Sequence, residues 1–180
     1  MRRRFPLVLG FVCGLFGVQA ATLERLSLDE MTARSTSIVR GKVEGSWSAF
    51  SGRVIYTHFT IRVTERWKGS NQSSVEIVVP GGVANNLRQS FSGVPELAAG
   101  AEYLFFLWTG KDGLTQVIGL TQGVFSLARD NAADPTATRS ASRELMFDRS
   151  TGQPVKDQTL VMRMSELRTR INATLGAKSR

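Results

Sequence analysis

One histidine, His58, limits the chemistry open to this chain of 180 residues. Ser-His-Asp catalysis needs a histidine base beside a serine presented on a sharp turn, and no Gly-x-Ser-x-Gly sequence supplies that turn. His58 falls in the middle of a β-type alternation on its polar phase, where a surface residue is expected. The single cysteine, Cys13, sits in an apolar N-terminal run, so the rest of the chain has no thiol nucleophile and no disulfide. Tight zinc sites are built mainly from Cys and His, which leaves too few ligands here. Asp130, Asp134, Asp148 and Asp157 lack the alternating spacing and terminal Glu of a calcium loop. Asp29 and Glu30 are accounted for by helix capping. Gly81-Gly82 and Gly119 are not followed by Lys-Ser/Thr, so they cradle no phosphate. No metal and no cofactor is expected. A pair of carboxylates suffices for glycoside hydrolysis, and Glu96 or Glu102 near a long loop keeps a carboxylate-dependent hydrolase as the alternative class.

The positive feature is a stripe. Strict alternation from Val54 to Trp67 predicts a strand with Ile55, Thr57, Phe59, Ile61, Val63 and Trp67 inward. Tyr56, His58, Arg62 and Arg66 then share the outer face. Arg40 and Lys42 on the neighbouring strand extend the stripe, and Trp47 adds a free aromatic. Aromatic and cationic groups on one strand face can stack on rings and pair with anions, although a solvated face would use the same residues for solubility.

These side chains need a scaffold, and the periodicities outline one. Ser27 and Glu30 form a capping box ahead of a short helix from Leu28 to about Arg34. The period then changes to two at Ser37, and Val39, Gly41 and Val43 alternate with charges. After the long strand, Lys68-Gly69-Ser70-Asn71 turns the chain into Val75, Ile77 and Val79, which Pro80-Gly81-Gly82 stops. Residues 83–101 read as a long loop. Tyr103–Trp108 is apolar throughout, as a strand covered on both faces must be, and Lys111-Asp112-Gly113 turns it back along Leu114–Ile118. Leu120–Leu127 follows, with Gly123 as a bulge. Residues 130–142 read as an exposed polar linker, and Leu145–Phe147 as a short edge strand. A last helix over 165–175 carries Leu167, Ile171 and Leu175 on one face and ends at Gly176. The expected fold is mainly β. It is a small antiparallel barrel of five or six strands over 35–127, OB-like, with a short N-terminal and a C-terminal helix. A two-sheet sandwich is the other arrangement.

Arg2-Arg3-Arg4, an apolar run to Val18 and small residues up to Ala20 have the order of a cleavable secretory signal over residues 1–20. The run is shorter than the roughly 20 residues that span a bilayer, so no membrane segment is expected in the mature chain, 21–180. Removing the leader leaves 20 basic and 15 acidic residues, a net +5. That is a mildly basic surface and implies no specific nucleic-acid partner.

The runs Ser37–Val43, Tyr56–Val63, Glu65-Arg-Trp-Lys-Gly69, Val75–Gly82 and Gly100-Ala-Glu-Tyr-Leu-Phe-Phe106 resemble a family of uncharacterised exported bacterial proteins. Their layout, over roughly residues 35–127, is also similar to the netrin-like OB barrels, including the N-terminal domain of the tissue inhibitors of metalloproteinases. The resemblance implies an OB-type barrel. It does not carry the inhibitory mechanism, which rests on an N-terminal cysteine and disulfides, whereas this mature chain would begin Ala21-Thr22-Leu23. A secreted or periplasmic binding or inhibitory module is the expected function. Its partner would be an unknown protein or an anionic envelope component, and a structural or accessory envelope protein is a further alternative.

Overall fold

The computed structural model describes residues 22–128 and 133–178, so residues 1–20, which the sequence suggests as a leader, lie outside the described residues. In chain order the elements are β1 (Thr22–Glu24), α1 (Leu28–Arg34), β2 (Ser37–Ser51), β3 (Val54–Lys68), β4 (Ser74–Pro80), β5 (Gly82–Ala84) and β6 (Leu87–Gln89). There follow β7 (Glu102–Thr109), β8 (Thr115–Val117), a 3-10 turn (Leu120–Gly123), β9 (Val124–Leu127), β10 (Thr136–Arg139), β11 (Leu145–Phe147), β12 (Pro154–Val155), β13 (Leu160–Arg163) and α2 (Met164–Lys178). The fold is mainly β with a C-terminal helix. Its centre is a sheet of eight strands in the order β13-β10-β9-β7-β2-β3-β4-β8, and β7 also pairs with β8.

The capping box at α1 forms as the sequence requires: the Glu30 amide donates to Ser27 Oγ at 3.2 Å and the Ser27 amide donates to Glu30 Oε2 at 2.9 Å. The apolar run of β7 is covered on both faces. Leu104 and Phe106 enter one cluster with Ile38, Leu28, Met31, Leu167 and Ile171, beneath the two helices. Phe105 and Leu107 enter a second with Val39, Val43, Phe59, Ile61, Ile77 and Val117, enclosed by the strands. We call these the outer and inner faces of the sheet.

Several local expectations are corrected. The stretch 83–101 is not all loop, because β5 and β6 form a hairpin through Asn85 and Asn86, both with positive φ. This is the mirror-image turn that Asn accepts. The polar stretch 130–142 is not a linker. Residues 129–132 lie outside the described residues, but Thr136–Arg139 is a sheet strand whose Ala137 and Arg139 are buried. A strand of small and polar residues has no apolar alternation to announce it. Leu145–Phe147 pairs in parallel with β1, in a separate three-stranded sheet. The last helix passes through Gly176 to Lys178, since propensity makes glycine costly in a helix without forbidding it. Among the described residues no helix is long and apolar enough to cross a membrane.

Gly41 is fixed by space. A Cβ there would sit 2.8 Å from the Arg62 carbonyl oxygen and 2.5 Å from Ile61. Gly41→Ala is expected to destabilise the fold by about 1–3 kcal/mol through overpacking, as measured by urea denaturation.

Candidate binding face

The long β2–β3 hairpin positions the predicted stripe, and three register shifts decide which of its members meet. Between Arg40 and Gly41 the partner on β3 steps from Glu65 to Val63, leaving Thr64 as an extra residue. One extra residue reverses the alternation beyond it. Below the bulge, Tyr56, His58 and Arg62 share the outer face. Above it, Arg66 lies opposite Val39 on the inner phase, so the structure removes it from the stripe. A further shift leaves Trp67 between paired positions, packed on the outer cluster with Arg168 over its ring at 5.3 Å. Trp67 therefore does not join Ile61 and Val63. Arg66 instead ties down the β3–β4 turn, donating to Ser37 Oγ at 3.1 Å and to the Gln72 carbonyl at 2.6 Å. Burial lowers its pKa from the usual arginine value.

The remaining arginines of the stripe are matched within the chain. Arg62 Nε lies 3.1 Å from Glu44 Oε1, and Arg40 Nη2 lies 2.8 Å from Glu102 Oε2. Lys42 is exposed and stands between Arg62 and Glu102 in register. Thr64 donates its hydroxyl to the other Glu102 oxygen at 2.7 Å. Burial pushes the Glu102 carboxyl up, but the bonds from Arg40 and Thr64 outweigh it and hold it below the usual glutamate value. Both Glu102 oxygens are thus engaged. Glu96, the other carboxylate singled out, is exposed at the mouth of a cleft of about 370 Å³ that Phe59, Val79, Phe91, Val94 and Leu97 line and Glu102 does not. Among the described residues no three His, Cys, Asp or Glu side chains gather as a metal site.

His58 and Trp47 are brought together. They are direct partners across β3 and β2, and their rings stack at 3.8 Å with planes 11° apart. His58 Nδ1 also meets Glu76 Oε1 on β4 at 3.0 Å. The imidazole is therefore held between an indole and a carboxylate, while Trp47 remains 52 % exposed.

No family model, curated protein or solved structure matches this chain.

The register extends the face beyond what the sequence suggested. His58 is opposite Val78 on β4, Val78 opposite Gln116 on β8, and Gln116 opposite Trp108 on β7. Trp47, His58, Val78, Gln116 and Trp108 thus form one lateral row across five strands. Trp108, 46 % exposed, continues the outer phase of Leu104 and Phe106. Its ring lies over Gly110, where an added Cβ would come within 3.2 Å of the indole. Alternation within β7 gave the phase of Trp108, but its neighbours follow from pairings between strands far apart in sequence, which no local pattern encodes.

Proposed function

We propose that this protein is an exported, non-catalytic binding or inhibitory module of the cell envelope or exterior, acting through the outer face of β2, β3 and β4. The observation that carries this reading is the Trp47–His58 pair: a large aromatic left half in solvent yet fixed by stacking, so that little ordering remains to be paid for on binding. Tyr56, Arg62, Arg40 and Lys42 flank it. The leader-like residues 1–20 support export, and the shortage of catalytic groups supports a binding role. The pairings β7–β8 and β4–β8 join β2, β3, β4, β8 and β7 in a circuit, which we take as an OB-type closure of five strands. In that reading the three further strands of the sheet, β9, β10 and β13, are an elaboration of the barrel.

Affinity capture from the producing cell's exported fraction tests the proposal, with wild type beside Trp47→Ala and Arg62→Ala. Both side chains are exposed, so each variant should melt within about 0.5 kcal/mol of wild type. Wild type should retain a partner that Trp47→Ala loses. If the partner is anionic, Arg62→Ala should also flatten the salt dependence of its binding. Arg66 is left intact because it anchors a turn. Equal recovery by wild type and Trp47→Ala, or no partner with either, would count against the binding face.

A further inference from the structure

We infer that the open edge of β2 over Gly45–Ser51 is a self-association site, where a second copy of this chain adds its own β2 antiparallel about a two-fold axis at Ser48. On one edge β2 pairs with β3 along its whole length. On the other, its pairing with β7 ends at Lys42, and Val43 bonds to Gly100 and Ala101 just beyond. Among the described residues no strand pairs with that edge from Gly45 to Ser51. The stretch follows a bulge at Glu44 and keeps a regular register with β3 throughout. The direction of its main-chain groups follows from β3. The Val63 amide donates to the Ser73 carbonyl and the Gly81 amide to the Ile55 carbonyl, so the odd positions of β3 aim at β4. The even positions Tyr56, His58 and Thr60 therefore exchange bonds with Ala49, Trp47 and Gly45. Ser46, Ser48 and Phe50 are left with N–H and C=O turned to the open edge.

Such an edge is a template for another strand, and proteins guard it with charge, proline, short length or a bulge. Gly45–Ser51 contains no charged residue and no proline, and Ser46, Trp47 and Phe50 are exposed along it. By contrast β13, the terminal strand of the same sheet, is four residues long and carries Arg163. Parity selects a copy of the same strand as the occupant. In an antiparallel pair centred on Ser48, Ser48 faces its own copy and Ser46 faces Phe50, so every outward N–H and C=O meets a counterpart. The alternate pairs set Trp47 against Ala49. Each aromatic side chain thus meets a small one, and no like charges come opposite. The two-fold closes the contact at a dimer. This contact uses the edge of β2, whereas the binding-module reading uses its outer face.

A strand edge of this length is smaller than the roughly 800 Å² per partner of a stable interface, so the dimer forms at high protein concentration. Sedimentation equilibrium from about 10 μM to about 1 mM should show the mass rising from monomer toward dimer. Ser46→Pro removes an outward donor without touching a bond to β3, a change an edge strand accepts, and should weaken association by about tenfold or more. Ser46→Ala keeps the amide and should leave association unchanged. In a Cys13→Ser background, Ser48→Cys should cross-link to its own copy on mild oxidation, since paired strands bring those Cα atoms within disulfide range, whereas Ser46→Cys, facing Phe50, should not. A protein that stays monomeric to about 1 mM overturns the inference, as does association that Ser46→Pro leaves unchanged or equal cross-linking at both cysteines. If Ser46→Pro instead strips a captured partner from a protein that is monomeric, the edge serves a foreign strand; the inference then fails while the binding module stands.

Discussion

Arg139→Ala is expected to cost about 3–5 kcal/mol in urea unfolding, a large part of the roughly 5–15 kcal/mol that holds a domain of this size together. Arg139 Nη2 lies 2.7 Å from Asp157 Oδ1, with the two side chains 4 % and 0 % exposed. The same nitrogen donates to the Gln158 carbonyl at 2.8 Å, and Asp157 Oδ2 accepts the Ser142 amide at 2.8 Å. The pair therefore pins the segment between β10 and β13 to the end of β10. Removing the guanidinium leaves a buried carboxylate without its counter-charge, and that penalty dominates the loss.

Two further outcomes follow from the same site. Arg139 Nε and Nη1 are buried with no partner among the described residues, so the desolvation of the guanidinium is only partly offset. An Arg139→Met, Asp157→Leu double variant should accordingly recover most or all of the loss, as apolar replacements of buried pairs often do. Wild-type recovery in that cycle identifies the uncompensated charge as the cause; a loss that persists would identify packing instead. The pH dependence has a definite sign. Burial pushes the Asp157 carboxyl up, but the Ser142 amide and Arg139 pull it below the usual aspartate value on balance. A depressed native pKa stabilises above the unfolded value of about 3.9, and this contribution is lost as pH falls through the native value. Denaturation midpoints of wild type should therefore fall more steeply below pH 4 than those of the double variant.

This site also shows where sequence patterning stops. Arg139 lies in the stretch 130–142, whose small and polar residues suggest an exposed linker, and Asp157 is one of four scattered aspartates without a motif. Their meeting depends on β10 being inserted between β9 and β13, a long-range pairing that neither segment announces. The first helix, the β2–β3 hairpin and the two-sided burial of β7 were legible because each is written in a local period or cap. The stripe was legible only as far as the period held. Tyr56, His58 and Arg62 keep their phase, but an extra residue at Thr64 costs no hydrophobic position that would flag it, and it carries Arg66 to the other face. Trp108 was visible as a residue and hidden as a neighbour of Gln116 and Val78, because β8 is only three residues long and reaches β4 through one paired position.

Phe105→Ala and Phe106→Ala should each cost about 3–5 kcal/mol, and the two losses should fall on different parts of the molecule. Both rings are fully buried, yet adjacent positions on a strand point to opposite faces. Phe106 packs beneath the helices with Phe125, their ring centroids 5.8 Å apart, in the cluster that contains Met31, Leu167 and Ile171. Phe105 lies inside the circuit of strands with Tyr103, at 5.6 Å, in the cluster of Phe59, Ile61 and Ile77. Truncating Phe106 opens a cavity in the cluster to which α2 contributes Met164, Leu167 and Ile171. Native-state hydrogen exchange should then show α2 amides losing protection ahead of those of β3 and β4. Truncating Phe105 loosens the floor beneath β3 and β4, so their amides should lose protection first while α2 follows only global unfolding. The Trp47–His58 stack belongs to the strands that Phe105 supports, so Phe105→Ala should also weaken whatever the outer face binds, and Phe106→Ala should weaken it less. Identical exchange patterns in the two variants would show that the clusters on the two faces of β7 unfold as one unit.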